Sequence, residues 1–453
     1  MNDLTKGSLA RHLFATGGFM LFTMVFQTLY FLADLYWMGR LGKEAVAAVG
    51  VAGNLTFVVL ALTQMLGVGT TTLVAHAAGR QDPDGARRVF NQAQSMSLVA
   101  GALFLVAGLA LTPRYAAGFS ADAATAALVR QFLWWFVPAM ALQFALVAVS
   151  SALRGLGDFR PGMMVGSGTV VLNMALAPVL IFGWGTGHPL GVAGAAVASL
   201  VAIAVGVAWL YVYAARPGSV LRVRGAEMRP EAATWKRLLG IGLPAGVEFA
   251  LIAVNMAVVY VVSQPFGAAA QAGFGIGQRV GQSGFMPIVA LGFAVAPVAG
   301  QNFGAGLADR VKATFYLGAK LSLAGTAGFV LLCQLFPVAL IRAFSTDPAV
   351  VAVGEEYLRI ASWSYLAAGL VFVTSSMFQA MGNTKPSLVA SFVRLLVVAI
   401  PAVVMSTWPG FHLAWVWYLT VVSVTLQLAL SLWMLNREFR VRLAPAGAVA
   451  APA

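Results

Sequence analysis

The sequence predicts an all-α polytopic membrane protein: twelve transmembrane helices in two six-helix lobes related by a parallel internal repeat. Three observations carry that prediction. Of 453 residues only 9% are charged and 60% are hydrophobic, with a mean hydropathy of +0.85, whereas soluble domains carry about one-quarter charged residues. Apolar runs recur along the whole chain at about 20 residues each, the length that crosses a hydrocarbon core about 30 Å thick. A polar motif is also written twice, as SSALRGLGDFRP from Ser150 and SSMFQAMGNTKP from Ser375, which is 375 − 150 = 225 residues apart.

The first lobe holds expected spans at 13–38, 46–75, 91–112, 125–150, 161–183 and 189–215. The second holds them at 237–262, 271–300, 315–341, 353–380, 387–407 and 411–436. These runs are apolar throughout, where a membrane strand would alternate over about ten positions. The chain therefore divides into an N-lobe at 1–215, a cytoplasmic linker at 216–236, a C-lobe at 237–436 and a cytoplasmic tail at 437–453. The 48 glycines suit close helix packing.

At the offset of 225, Phe119 and Ser120 meet Phe344 and Ser345, Asp122 meets Asp347, Gly79 meets Gly304, Asp84 meets Asp309 and Gly50 meets Gly275. Loops and polar residues thus keep register along with the apolar runs. An even number of spans per copy gives both copies one orientation, and two such lobes can rock about a central cavity. Each copy of the motif lies at the cytoplasmic end of a fourth helix. There Pro161 or Pro386 suits the first turn of the fifth, and Asp158 or Asn383 is a cap-type residue. The motif reads first as a structural turn.

The formal charge of +13 is a matter of topology. With both termini inside, twenty basic residues fall on the cytoplasmic side and six outside, which satisfies the positive-inside rule without a nucleic acid. The start MNDLTKGSLARHLF has no small-residue cleavage site and is expected to be the mature terminus. Cys333 lies alone in an apolar run, as packing. No Gly-rich phosphate loop with Lys is present, and His12, His76, His188 and His412 are scattered, so neither an ATPase motor nor a metal centre is expected. QNFGAG, from Gln301, follows a span rather than a strand. No enzyme activity and no cofactor are expected.

Ionisable groups inside spans are costly and by default functional. Two acids stand out, Asp34 late in the first span and Glu248 in the seventh, with Arg279 and Arg394 as the basic residues set deepest in spans. At the repeat offset Asp34 maps to Val259 and Glu248 to Thr23, so the symmetry is broken where the acids sit. Asp34 reads either as an interfacial carboxylate or as a proton-carrying one. Glu248 reads as a buried ion pair with Arg279 or Arg394, as an anionic partner for a cationic substrate, or as a second coupling carboxylate. Gln278, Trp363 and Tyr365 are further candidates at the substrate site, where aromatic rings hold delocalised cations, although such rings also serve as core or interfacial belt.

LRGLGDFRP followed by VVLNMALAPVLIFGWG and PLGVAGAAVASL, with AGQNFGAG near Gly300 and DLYWMGRLG from Asp34, resembles the multidrug and toxic compound extrusion (MATE) family over essentially the whole chain. The resemblance implies export of amphipathic, often cationic compounds in exchange for H+ or Na+ from a multi-pass protein of a bacterial-type inner membrane, expected as a monomer. Asp34 matches the family's first-helix acid, taken to bind the coupling cation, and Asn173 and Ser199 match polar positions around it. Ala177 stands where some relatives carry a second acid, and Gly17 and Gly18 stand in place of an early proline in the first helix. The tenth helix has no acid beyond Glu355 and Glu356 at its outer end. The last departure weakens a Na+-coupled reading that relies on a C-lobe acid triad, and H+ coupling in the DinF-like branch is expected over the NorM-like one. The alternative is a lipid-linked saccharide flippase of related architecture, for which Arg279 and Arg394 are the best support.

Overall fold

The computed structural model describes residues 3–120, 122–185 and 187–443, less the side chains of Tyr30, Phe31, Asp34, Leu35 and Lys43. Helices account for nearly all of them, because inside a bilayer each backbone N–H and C=O must find its partner within the segment. In chain order they are α1 (Leu9–Gly39), α2 (Lys43–Gly79), α3 (Pro83–Phe119), α4 (Ala123–Gly155), α5 (Arg160–Phe182), α6 (Val192–Ala214) and α7 (Ala232–Ser263). There follow α8 (Ala268–Gly304), α9 (Ala308–Leu335), the short α10 (Pro337–Arg342), α11 (Pro348–Ala361), α12 (Ser364–Ala380), α13 (Lys385–Ser406) and α14 (Ala414–Arg442). Among the described residues eleven helices are long and apolar enough to span, and α11 with α12 makes a twelfth span bent by 55°.

That bend corrects the continuous tenth helix expected over 353–380. No proline or glycine sits at the break, Ser362–Trp363. Instead Gln334 of α9 donates from Nε2 to the Arg359 carbonyl at 2.9 Å and to Ser362 Oγ at 2.8 Å, satisfying polar groups that a straight helix would have to bond internally. The ninth span also ends sooner than expected, at Leu335, and resumes as α10.

The repeat is visible in the element ends. Gly79 and Gly304 close α2 and α8, and Gly155 and Ala380 close α4 and α12, each pair 225 residues apart. The twice-written motif forms the same cap twice. Gly157 (φ 77°) and Gly382 (φ 73°) take the left-handed conformation that glycine adopts at least cost. Their N–H groups donate to Arg154 O and Gln379 O at 2.9 Å, while Asp158 and Asn383 donate from the backbone to Leu153 O and Phe378 O at 2.9 and 3.0 Å. The side chains of Asp158 and Asn383 do not cap the next helix as expected. Asp158 Oδ2 accepts from Tyr213 of α6 at 2.8 Å, and Asn383 Nδ2 donates to Glu438 of α14 at 2.8 Å, so each tethers the last helix of its own repeat.

The chain forms two compact units. Among the described residues one comprises Phe19–Gly246 with Asp3, the other Leu4–Gly18 and the chain from Val247 onward. In the first, α4 packs against α2, α3 and α6. The start of α7 also belongs there: a Cβ on Gly242 would lie 1.8 Å from the Met65 carbonyl oxygen, so only glycine allows this approach. The linker is bonded to α3. Gln92 Nε2 donates to Glu227 O and Arg229 O at 2.6 and 2.7 Å, and Asn91 Oδ1 accepts from Arg224 N at 2.9 Å. In the second unit α8 packs against α9, α11 and α12, and α14 against α12 and α13. Leu4 and Leu13 are buried there with Val295, Val298 and Phe315. The QNFGAG stretch holds this N-terminal segment, with Leu4 N donating to Gln301 Oε1 at 3.0 Å and Asn302 Nδ2 to Leu4 O at 3.3 Å.

Candidate coupling and substrate sites

In the first unit Asp34 lies on α1, five residues before its end; its side chain lies outside the described residues. Asn173 of α5 and Ser199 of α6 are both buried, and Asn173 Nδ2 donates to Ser199 Oγ at 3.0 Å. The Ser199 hydroxyl in turn donates to Ala195 O at 3.1 Å, one turn back on its own helix. Ala177, one turn beyond Asn173, is buried.

In the second unit Glu248, midway along α7, is surrounded by hydroxyls. Its carboxylate accepts from Ser387 Oγ at 2.8 and 2.9 Å and from Ser391 Oγ at 3.0 Å. Ser375, the first residue of the second motif, places Oγ 2.8 Å from Ser387 Oγ and 3.4 Å from Glu248. Ser387, Ser391 and Arg394 follow one another at helical spacing on α13, which puts all three on one face. From α14, Gln427 donates Nε2 to Ser391 Oγ at 3.0 Å and accepts at Oε1 from Arg394 Nη1 at 3.5 Å. The charges of Glu248 and Arg394 thus communicate through an amide and a hydroxyl.

Among the described residues Glu248 makes no ion pair within 4.0 Å, so neither Arg279 nor Arg394 is its contact partner. An ionised carboxylate only accepts hydrogen bonds, and serine hydroxyls rotate freely to donate to it or to turn their lone pairs elsewhere. The cluster can therefore hold a carboxylate, its protonated form, or a hard cation liganded by oxygen.

The other candidates are dispersed. Arg279 is exposed on α8. Gln278 Oε1 accepts from Tyr357 OH at 2.9 Å. Tyr365 packs its ring 5.4 Å from Phe329 and 6.0 Å from Phe285, while Trp363 is exposed at the helix break. Sequence reasoning placed Ser375 in a motif read first as a structural turn and passed over Ser387, Ser391 and Gln427. The two α13 serines, four apart in a run of otherwise apolar residues and one turn before Arg394, were the available signal.

A family model described as MatE matches residues 20–179 and 244–405. The probable multidrug resistance protein YoeA of Bacillus subtilis (strain 168) is 28% identical over 427 residues, 90% of each chain. An FAD transporter of Shewanella oneidensis is 25% identical over 386 residues, 83% of each chain. A solved structure of an outward-facing multidrug resistance MATE family transporter of the MOP superfamily, 23% identical, aligns with a TM-score of 0.89 over 97% of this chain and 98% of that one.

Proposed function

The chain belongs to the MatE family, and from that premise we propose that it is a secondary active exporter of amphipathic, often cationic organic compounds in exchange for H+. Relatives described as probable multidrug resistance proteins, which align with most of the chain, support the reading. The observation that carries it is Glu248: a carboxylate midway along a spanning helix, held by neutral hydroxyls and without a contact ion pair among the described residues, is available to a proton or to a cationic substrate.

In the cycle we propose, a proton arriving from outside binds at Asp34, with Asn173 and Ser199 beside it, and favours the inward-facing state after substrate has left. Its release into the cytoplasm resets the transporter. Proton and substrate must stabilise different states, because a ligand that binds both equally shifts neither. The protein resides in the inner membrane with both termini cytoplasmic, in the DinF-like, proton-coupled branch.

Arg394 favours a second reading. Its Nε has no hydrogen-bond partner, which suits an anionic substrate bearing a pyrophosphate, as in a lipid-linked saccharide. The experiment is transport of a fluorescent organic cation by reconstituted liposomes under an imposed proton gradient in sodium-free buffer, repeated with sodium. Gradient-driven movement without sodium is the expected result. Movement only with sodium would replace the coupling ion, and movement under neither condition, together with competition by an undecaprenyl-type lipid, would favour the second reading.

A further inference from the structure

We infer that the second unit carries a specific site for the phosphate of an anionic phospholipid, in the cleft between the start of α9 and the end of α14. The cleft encloses about 330 Å³ and is lined by Lys312, Tyr316, Asn436, Phe439 and Arg440. Two cations from two helices converge on it, and no acid lines it. Among the described residues neither Lys312 nor Arg440 is ion-paired. Glu438, the nearest acid on α14, is already occupied by Arg442 at 2.8 Å and by Asn383 at 2.8 Å. A second cavity, between α3 and α4 in the first unit, includes Asp122 as well as Arg130 and offers an anion no such surplus.

The helix surfaces that continue inward from the cleft change in character. The base of the cleft is Phe439, packed edge-on against Phe315 with ring centroids 6.0 Å apart. Tyr316, whose hydroxyl has no partner among the described residues, and Asn436 supply neutral donors beside the two charges, a set that suits phosphate oxygens. Seven residues inward from Arg440 stands the exposed Trp433, and seven further the exposed Leu426. On α9 Leu323 lies seven residues inward from Tyr316 and is also exposed. Seven residues return to nearly the same face about 10 Å along the axis. On α14 cation, aromatic ring and aliphatic side chain therefore follow in the order of headgroup, interface and acyl chain, while α9 adds the exposed Lys320 one turn inward from Tyr316. Basic clefts between spanning helices near the membrane surface take lipid headgroups in this way. Free phosphate shares the headgroup chemistry but would make no use of the apolar track, and this is why the lipid is the occupant inferred.

The test is native mass spectrometry of the full chain released from nanodiscs of mixed phosphatidylglycerol and phosphatidylcholine, with inorganic phosphate added as competitor. The wild type should retain phosphatidylglycerol in preference to phosphatidylcholine. The pair Lys312→Gln and Arg440→Gln should weaken that retention about 30-fold, the effect of two cations near a membrane surface. The pair Lys236→Gln and Arg237→Gln should leave it unchanged, and Lys312→Arg should keep it. Equal loss in both pairs, or none in either, would reduce the cleft to general surface charge and overturn the inference. Displacement of the lipid by inorganic phosphate at equal concentration would overturn it in favour of the free ion.

Discussion

The same places in the two repeats are filled in opposite ways. Asn173 and Ser199 form a buried polar pair in the first unit; 225 residues on, their counterparts, and that of Asp34, are Val398, Val424 and Val259, all buried. Glu248, Ser387 and Ser391 form the hydroxyl cage of the second unit, while their counterparts are Thr23, Gly162 and Gly166. There the chain closes on itself instead, since a Cβ on Gly166 would lie 2.8 Å from the Thr23 methyl. Duplication supplied the scaffold, and each copy then placed its polar groups at a different height, nearer the end of α1 in one and midway along α7 in the other. Buried polar groups are costly unless partnered, so a site of this kind needs several coordinated changes and is not inherited by symmetry.

Four substitutions would break or sharpen that contrast. The largest effect is expected for Asp34→Asn, which should insert and fold normally yet reduce gradient-driven export in liposomes to background. Near-normal export would remove Asp34 from the coupling mechanism and leave Glu248 as the principal carboxylate. Val398→Asn transplants the first unit's amide into the second without its serine partner. It should lower stability by about 2 kcal/mol, read as a reduced melting temperature in detergent. An unchanged melting temperature would mean that the valine site already offers a partner or water. Gly166→Ser, the reverse transplant, should cost about 1 to 2 kcal/mol through overpacking against Thr23, and no loss would show that α1 and α5 are free to separate there. The smallest change is a gain. Gln81 is the one non-glycine residue described with a positive φ, 55°, where the repeat places Gly306 at 73°. Gln81→Gly should therefore add up to about 1 kcal/mol, and a loss would indicate that the Gln81 side chain holds the turn.

Much of the fold was legible because hydropathy reports the solvent directly. Span number, all-helical character and the repeat follow from apolar run length and from polar residues kept in register. The break at Ser362–Trp363 was not legible, since its cause is a glutamine on another helix rather than a local proline or glycine. The roles of Asp158 and Asn383 were misjudged for a similar reason: each has a cap-type side chain, but a partner from a distant helix, Tyr213 or Glu438, claims it. At the candidate site the acids announced themselves by cost alone. The serines did not, because a hydroxyl bonded within its own helix is cheap in an apolar run, and only assembly shows which ones turn toward a carboxylate.

Leu4 and Leu13, buried beside Val295 and Phe315, impose an order on biosynthesis. The N-terminal segment is made first, yet the surface it covers is made about 280 residues later. At translation rates of about 5–20 residues per second, roughly 15 to 60 s pass in which Leu4–Gly18 has no native partner. The core of the second unit is therefore completed by residues made long before it, and loss of Leu4–Gly18 would be felt as a defect in the second unit.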